Sequence, residues 1–239
     1  FLQNIGNLYN MDDMKQYLKD SSQYGLLTND LLEKNLNSTL MAQKYMGASS
    51  ETLTSLYRYS RLTNNNEAVD KYNKTMIALQ KEGIGVNKDM LNNMIQSNVE
   101  VSDVLTAAGL SGETLEQFNQ ERTVLNAQIQ YKYGPEYAKQ INSLVDESIK
   151  KLATTEGEAQ LAQMGIDPSS FKAEVSQGDA QGLYDMVIKG VTSRANSWNS
   201  DDWSANLKFF NQLGLNTSDI NAARKINEGG GINGLGPVT

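Results

Sequence analysis

Six times along this 239-residue chain a glycine closes one apolar run and a Ser, Thr, Asn or Asp opens the next. The clearest cases are Gly47-Ala48-Ser49, Gly85-Val86-Asn87, Gly109-Leu110-Ser111, Gly165-Ile166-Asp167 and Gly214-Leu215-Asn216. Gly25-Leu26-Leu27-Thr28 is the same corner with one residue more. Glycine enters the left-handed conformation that ends a helix without a Cβ clash, and the residue after it packs back on the last turn. The small polar side chain then accepts orphan N–H groups at the start of the following helix. Each triplet therefore predicts a helix stop, an apolar staple and a helix start. The corners are unequally spaced, so they lack the fixed period of a solenoid.

The apolar positions between the corners have helical spacing. Met14, Tyr17 and Leu18 face inward from a helix that starts after Asn10, with Asp12 and Asp13 in its first turn, where the helix dipole favours acids. Leu31, Leu32, Leu36, Leu40 and Tyr45 mark the next helix, and Leu53, Leu56, Tyr57 and Ser60 the one after. Val69, Tyr72, Met76 and Leu79 follow on a stripe that ends near Gly83 and Gly85, and two short helices are expected between Asn87 and Gly109, meeting near Ser97 to Ser102. Leu115, Phe118, Arg122, Leu125 and Ile129 then alternate spacings of three and four, a coiled-coil-like seam carrying one Arg. Tyr133-Gly134-Pro135 breaks it, since glycine ends a helix and proline suits the first position of the next. Tyr137, Ile141, Leu144, Ser148 and Leu152 resume the spacing, so residues 111–156 read as an antiparallel helical hairpin. Shorter helices follow from Pro168, Asp179, Ser200 and Thr217. No stretch alternates with the period of a strand. The expected fold is all-α, a multi-helix bundle with an N-terminal helical region over 1–110, the hairpin over 111–156, a C-terminal helical region over 157–228 and a Gly-rich linker or unanchored tail over 229–239.

Composition narrows the chemistry. With no cysteine and no histidine, the chain can hold no disulfide, thiolate nucleophile, tetrahedral zinc site or histidine-based serine triad. A net charge of −7 opposes both a phosphate-binding surface and docking on anionic lipid. No apolar run approaches the roughly 20 residues that span a bilayer. The chain opens on Phe1-Leu2 with neither a basic leader nor an initiator Met, and reads as a piece of something longer.

Few constellations could carry a reaction. The acid pairs Asp12/Asp13, Asp146/Glu147 and Asp201/Asp202 are adjacent in sequence and point apart on a helix, and no Ca²⁺ loop is present. No metal, cofactor or catalytic residue is therefore expected, with one candidate kept open. Glu147-Ser148 resembles the Glu-Ser pair of soluble lytic transglycosylases, and Ser176-Gln177-Gly178-Asp179-Ala180-Gln181-Gly182-Leu183-Tyr184 loosely resembles their downstream Gly-Leu-Met-Gln stretch. The gap between the two segments is much longer than the family's, however, and Tyr184-Asp185 stands where Met-Gln should be. In that reading Glu147 is the general acid that cleaves a glycosidic bond. Tyr57-Arg58-Tyr59-Ser60-Arg61 interleaves aromatics with arginine, a pattern that can stack on bases, but in so acidic a chain no direct nucleic-acid site is expected. Trp198 and Trp203 flank a helix junction, with Ser200 as the expected cap, and suit either a packed corner or a contact platform.

Across residues 40–200 the chain resembles part of a bacteriophage tail tape-measure protein or a closely associated tail protein. The residues behind the resemblance are Met46-Gly47-Ala48-Ser49-Ser50-Glu51-Thr52-Leu53-Thr54-Ser55-Leu56-Tyr57-Arg58-Tyr59, Ala108-Gly109-Leu110-Ser111-Gly112-Glu113-Thr114-Leu115 and Gln163-Met164-Gly165-Ile166-Asp167-Pro168. The match is one of texture, glycine corners between Gln- and Asn-rich helices, and it carries no functional residue over. It implies a virion component inside or at the end of a tail tube, found in the host cytoplasm during assembly, whose partners are tail-tube or baseplate proteins and copies of itself. A measuring rod should be long continuous helix at about 1.5 Å per residue. A chain that keeps turning corners reads as a folded end-piece instead, with Leu115, Phe118, Leu125, Ile129, Trp198 and Trp203 as its expected contact residues. The alternatives are a transglycosylase-like module and a cellular helical adaptor that binds proteins.

Overall fold

The structure is a computed structural model that describes residues 50–63, 68–85, 88–198 and 203–236, together with Asp12, Lys15 and Lys19. The expected helices before residue 50, and the corners at Gly25 and Gly47, lie outside the described residues. Among the described residues there are ten α-helices and no strand, so the fold is all-α. The chain divides into two compact units, residues 1–99 and 100–239. The expected boundary at 110/111 is thereby moved toward the N-terminus, into the middle of a helix.

In the first unit, α1 (Ser50–Thr63) and α2 (Ala68–Lys81) pack on each other. Leu56, Tyr59, Met76 and Leu79 are buried, as the helical spacing requires. Arg58 and Arg61 are exposed while Tyr59 is buried, so Tyr59 is turned away from any base that could stack on it. α3 (Lys88–Ala107) is one continuous helix of 20 residues, in place of the two short helices expected around Ser97 to Ser102. Ser97, Asn98 and Ser102 are buried within it. Residues that usually break or cap a helix are held helical here by packing, which overrides their weak intrinsic preference.

The second unit holds the remaining elements around one apolar core. They are α4 (Gly112–Tyr133), α5 (Pro135–Lys150), a 3₁₀ turn (Lys151–Ala153), α6 (Thr155–Gln163), α7 (Pro168–Gln177), α8 (Ala180–Asn196), α9 (Trp203–Gln212), α10 (Thr217–Glu228) and a final 3₁₀ turn (Ile232–Leu235). α4 and α5 form the expected hairpin, with Gly134 at φ 101° and Pro135 in the first position of α5. The pairs Arg122–Asn142, Arg122–Asp146 and Asn126–Ala138 show the two arms running antiparallel. The second arm ends at Lys150, before the expected 156, and Thr154 caps α6 by accepting from the Gly157 N–H. α8 is the central element, in contact with α4, α5, α7 and α10, and it buries Leu183, Tyr184, Val187, Ile188 and Val191.

The corners at Gly109, Gly165 and Gly214 close as their triplets predict. At Gly109 the Leu110 N–H bonds the Leu105 carbonyl and the Gly109 N–H bonds that of Thr106, at 3.0 and 3.1 Å. This is the two-bond Schellman cap, and the stapled Leu110 is wholly buried. The same pair of bonds recurs at Gly165 with Ile166 and at Gly214 with Leu215. At Asn87 the cap is undescribed, and the left-handed residue is Gly83, with Ile84 as its staple, where the triplet pointed to Gly85. The following helices start on Asp167, which accepts from the Ser170 N–H, and on Asn216, which exchanges bonds with Asp219 in a full capping box. Ser111 stands at the start of α4 with no side-chain cap bond.

One corner brings two backbones together. A Cβ at Gly190, in the middle of α8, would lie 2.5 Å from the Gly165 carbonyl oxygen, and a Cβ at Gly165 would overlap the Gly190 carbonyl in turn. Only two glycines let the α6–α7 corner sit this close to α8.

The C-terminal segment is not the unanchored tail its composition predicts. Ile232 is buried in the core cluster and Leu235 packs against it. The Gly236 carbonyl accepts from Gln128 Nε2 at 2.9 Å, and the Gly234 carbonyl accepts from Lys132 Nζ at 2.5 Å. Five glycines in eight residues suggest a floppy chain, but here they let a strap lie flat on α4 and α8.

Candidate functional site

Two places concentrate unusual side chains in the second unit: a polar cluster inside the hairpin and an aromatic corner beside α9. The polar cluster centres on Arg122, the one charged residue of the α4 seam, which is completely shielded from water. Its Nη2 donates to Asp146 Oδ1 and, at 3.0 Å, to Asn142 Oδ1, both from α5. Its Nε donates to Tyr184 Oη from α8 at 3.3 Å, and Tyr184 Oη donates to Asn142 Oδ1 at 3.3 Å. Asn142 and Asp146 lie one helical turn apart, so both reach the same guanidinium.

Electrostatics follow from this geometry. Burial alone would push the Arg122 guanidinium down, but the Asp146 carboxylate and the Tyr184 hydroxyl outweigh it, so Arg122 holds its proton more tightly than usual. Burial pushes the Tyr184 hydroxyl up; Arg122 pulls it back and Asp146 adds to the rise. With the cation held charged and the phenol held neutral, neither Arg122 nor Tyr184 offers a general acid or base near neutral pH. Arg122 and Tyr184 have no exposed surface, and only small edges of Asn142 and Asp146 reach solvent. The cluster clamps three helices together.

Glu147, the candidate acid, points elsewhere. Its carboxylate accepts from Lys150 Nζ at 3.3 Å, and the same ammonium bonds Glu100 at 3.1 Å. Glu147 is partly exposed in an ion-pair chain, not enclosed in the apolar pocket that raises a catalytic carboxyl. Ser148 is buried and donates to the Leu144 carbonyl at 2.8 Å. Of the loosely similar second stretch, Leu183 and Tyr184 are core residues of α8.

The seam residues proposed as contacts are corrected by their burial. Leu115, Phe118, Leu125 and Ile129 are all at most 1 % exposed, inside the core of this chain. α5 and α8 together cover the seam face of α4, while Glu113, Gln117, Glu121 and Tyr131 on its other side stay exposed. Trp198 and Trp203 meet edge to face with centroids 5.3 Å apart, and Trp198 meets Phe210 at 4.7 Å. The Arg224 guanidinium lies over the Trp203 ring at 5.8 Å. Both indoles are partly buried, so the corner is packed inward with an accessible edge.

Sequence reasoning singled out Arg122 as a seam residue but did not assign Asn142, Asp146 and Tyr184 to it. A usable signal was present: Arg122 and Asp146 each lie twelve residues from Gly134, and a helical hairpin sets such residues opposite one another. Among the described residues no group of three acidic side chains could hold a metal ion, and no helix is long and apolar enough to cross a membrane.

Fold and site together define an all-α helical bundle pinned by a buried arginine cluster. Compared with known proteins, the chain matches no family model, no curated protein and no solved structure.

Proposed function

We propose that this chain is a structural module of a bacteriophage tail, the folded portion of a tape-measure or baseplate-associated protein, acting in tail assembly and genome ejection. The observation that carries the reading is the glycine corner. Two of the triplets through which the sequence resembles tail proteins, at Gly109 and Gly165, are corners that fold the second unit. Two further features support it. The buried charges are consumed in holding helices together, which suits attachment more than reaction. The longest described helix has 22 residues, about 33 Å, so the chain acts as an end-piece held by tail-tube or baseplate proteins, or by its own copies, and not as the rod. The accessible edge of the Trp198/Trp203 corner is the contact surface that remains once the seam is assigned to the core.

The test is mass spectrometry of tails purified from virions of the phage that encodes the chain. Its peptides should appear in the tail fraction at a fixed ratio to the tube subunit. Their absence from intact, infectious virions would overturn the proposal.

A further inference from the structure

The geometry points to residues 229–236 being a latch that opens and closes on its own, independently of the helices beneath it and of whichever assembly the chain serves. The segment leaves α10 through another Schellman corner: the Gly231 N–H bonds the Ile226 carbonyl at 2.9 Å and the Gly230 N–H bonds that of Asn227 at 3.1 Å. It then lies against α4 and α8. Its fixings are few. Ile232 is buried in the core and Leu235 is partly buried, while the polar ties to Gln128 and Lys132 are exposed, so water competes for them.

Opposing these fixings is the freedom the segment regains on release. Glycine recovers more backbone entropy than any other residue, and five of the eight positions are glycine. The closed form is nevertheless specific. A Cβ at Gly229 would run into Tyr133 Oη, and a Cβ at Gly234 would run into the Gly229 carbonyl. A segment with one defined closed shape, little buried surface and a large entropy of release is the kind that opens locally before the rest of a domain unfolds. Opening withdraws Ile232 and bares the part of the apolar core that it covers.

Amide hydrogen exchange on the full chain tests this, comparing peptides that cover 229–236 with those from the centres of α4 and α8. The strap should exchange at least about 100-fold faster than the two helices yet measurably slower than an unstructured peptide. Gly234→Ala, which wedges the strap from within, and Lys132→Met, which removes its ammonium tie, should each speed strap exchange about tenfold while leaving α4 and α8 within about twofold. Strap and helices exchanging at one rate, or both variants accelerating all three together, would make the segment an integral part of the bundle. A strap with no protection at all would mean that no closed state exists. Either result overturns the inference, and the unmodified chain decides it if a variant fails to fold.

Discussion

Arg122 carries its charge where water does not reach, and removing one partner of such a pair is worse than never having had it. Arg122→Ala strands Asp146 beside Asn142 and should cost about 3–5 kcal/mol, read as a lower urea midpoint at unchanged slope. The double change Arg122→Met with Asp146→Leu, which leaves no charge behind, should recover most of that loss; a double variant as unstable as the single would contradict the account. Among the described residues, three carboxyls are held above their ordinary values. Burial raises Glu121, Glu174 and Asp219, with Asp179 adding to the first two and Glu147 to the third. The folded state binds these protons more tightly than the unfolded chain, so the stability they supply is full below their ordinary values of 4.5 and 3.8 and is lost as pH rises through the folded values. Asp167 is held low by Ser170 and acts in the opposite sense, but only below its ordinary 3.8. Urea midpoints should therefore rise between pH 7 and pH 4.5, and Glu174→Gln should flatten part of the rise. Sequence periodicity placed Arg122 on the seam correctly. It could not reach Tyr184, 62 residues away, because that contact is created by the docking of α8 and has no local spacing to betray it.

At the scale of elements the corners were the legible part, since the chemistry of a Schellman cap is contained in six consecutive residues. α3 and the C-terminal strap were not legible, for one shared reason. Ser97, Asn98 and Ser102 have weak helix preference and the strap is rich in glycine, yet in both cases burial against other elements decides the conformation. The glycines themselves divide into two kinds that a thermal melt can separate. Gly109 has φ 110° with open space where a side chain would go, so Gly109→Ala should cost about 1–2 kcal/mol, from backbone strain alone. Gly190 has ordinary helical backbone, where alanine would normally gain about 1 kcal/mol. Because its Cβ would meet the Gly165 carbonyl, Gly190→Ala should destabilise instead, and by more than Gly109→Ala. A stabilised Gly190→Ala protein would show that the α6–α7 corner yields.

For the whole molecule, the class of fold was readable in the sequence and the division into units was not, because the break falls inside a helix with no change of composition to announce it. Val101, Leu105 and Leu110 belong to the core of the second unit. A fragment beginning at Lys88, which keeps α3 entire, should unfold in one cooperative transition, whereas one beginning at Ser111 should be measurably less stable by calorimetry. The aromatic corner has a practical consequence of its own. The chain has only two tryptophans, and both indoles sit in one edge-to-face pair at the junction of α8 and α9. Intrinsic emission excited at the red edge therefore reports on that single junction and is blind to every other helix, while coupling between the paired rings should give near-ultraviolet circular dichroism a signature that vanishes when either indole is replaced.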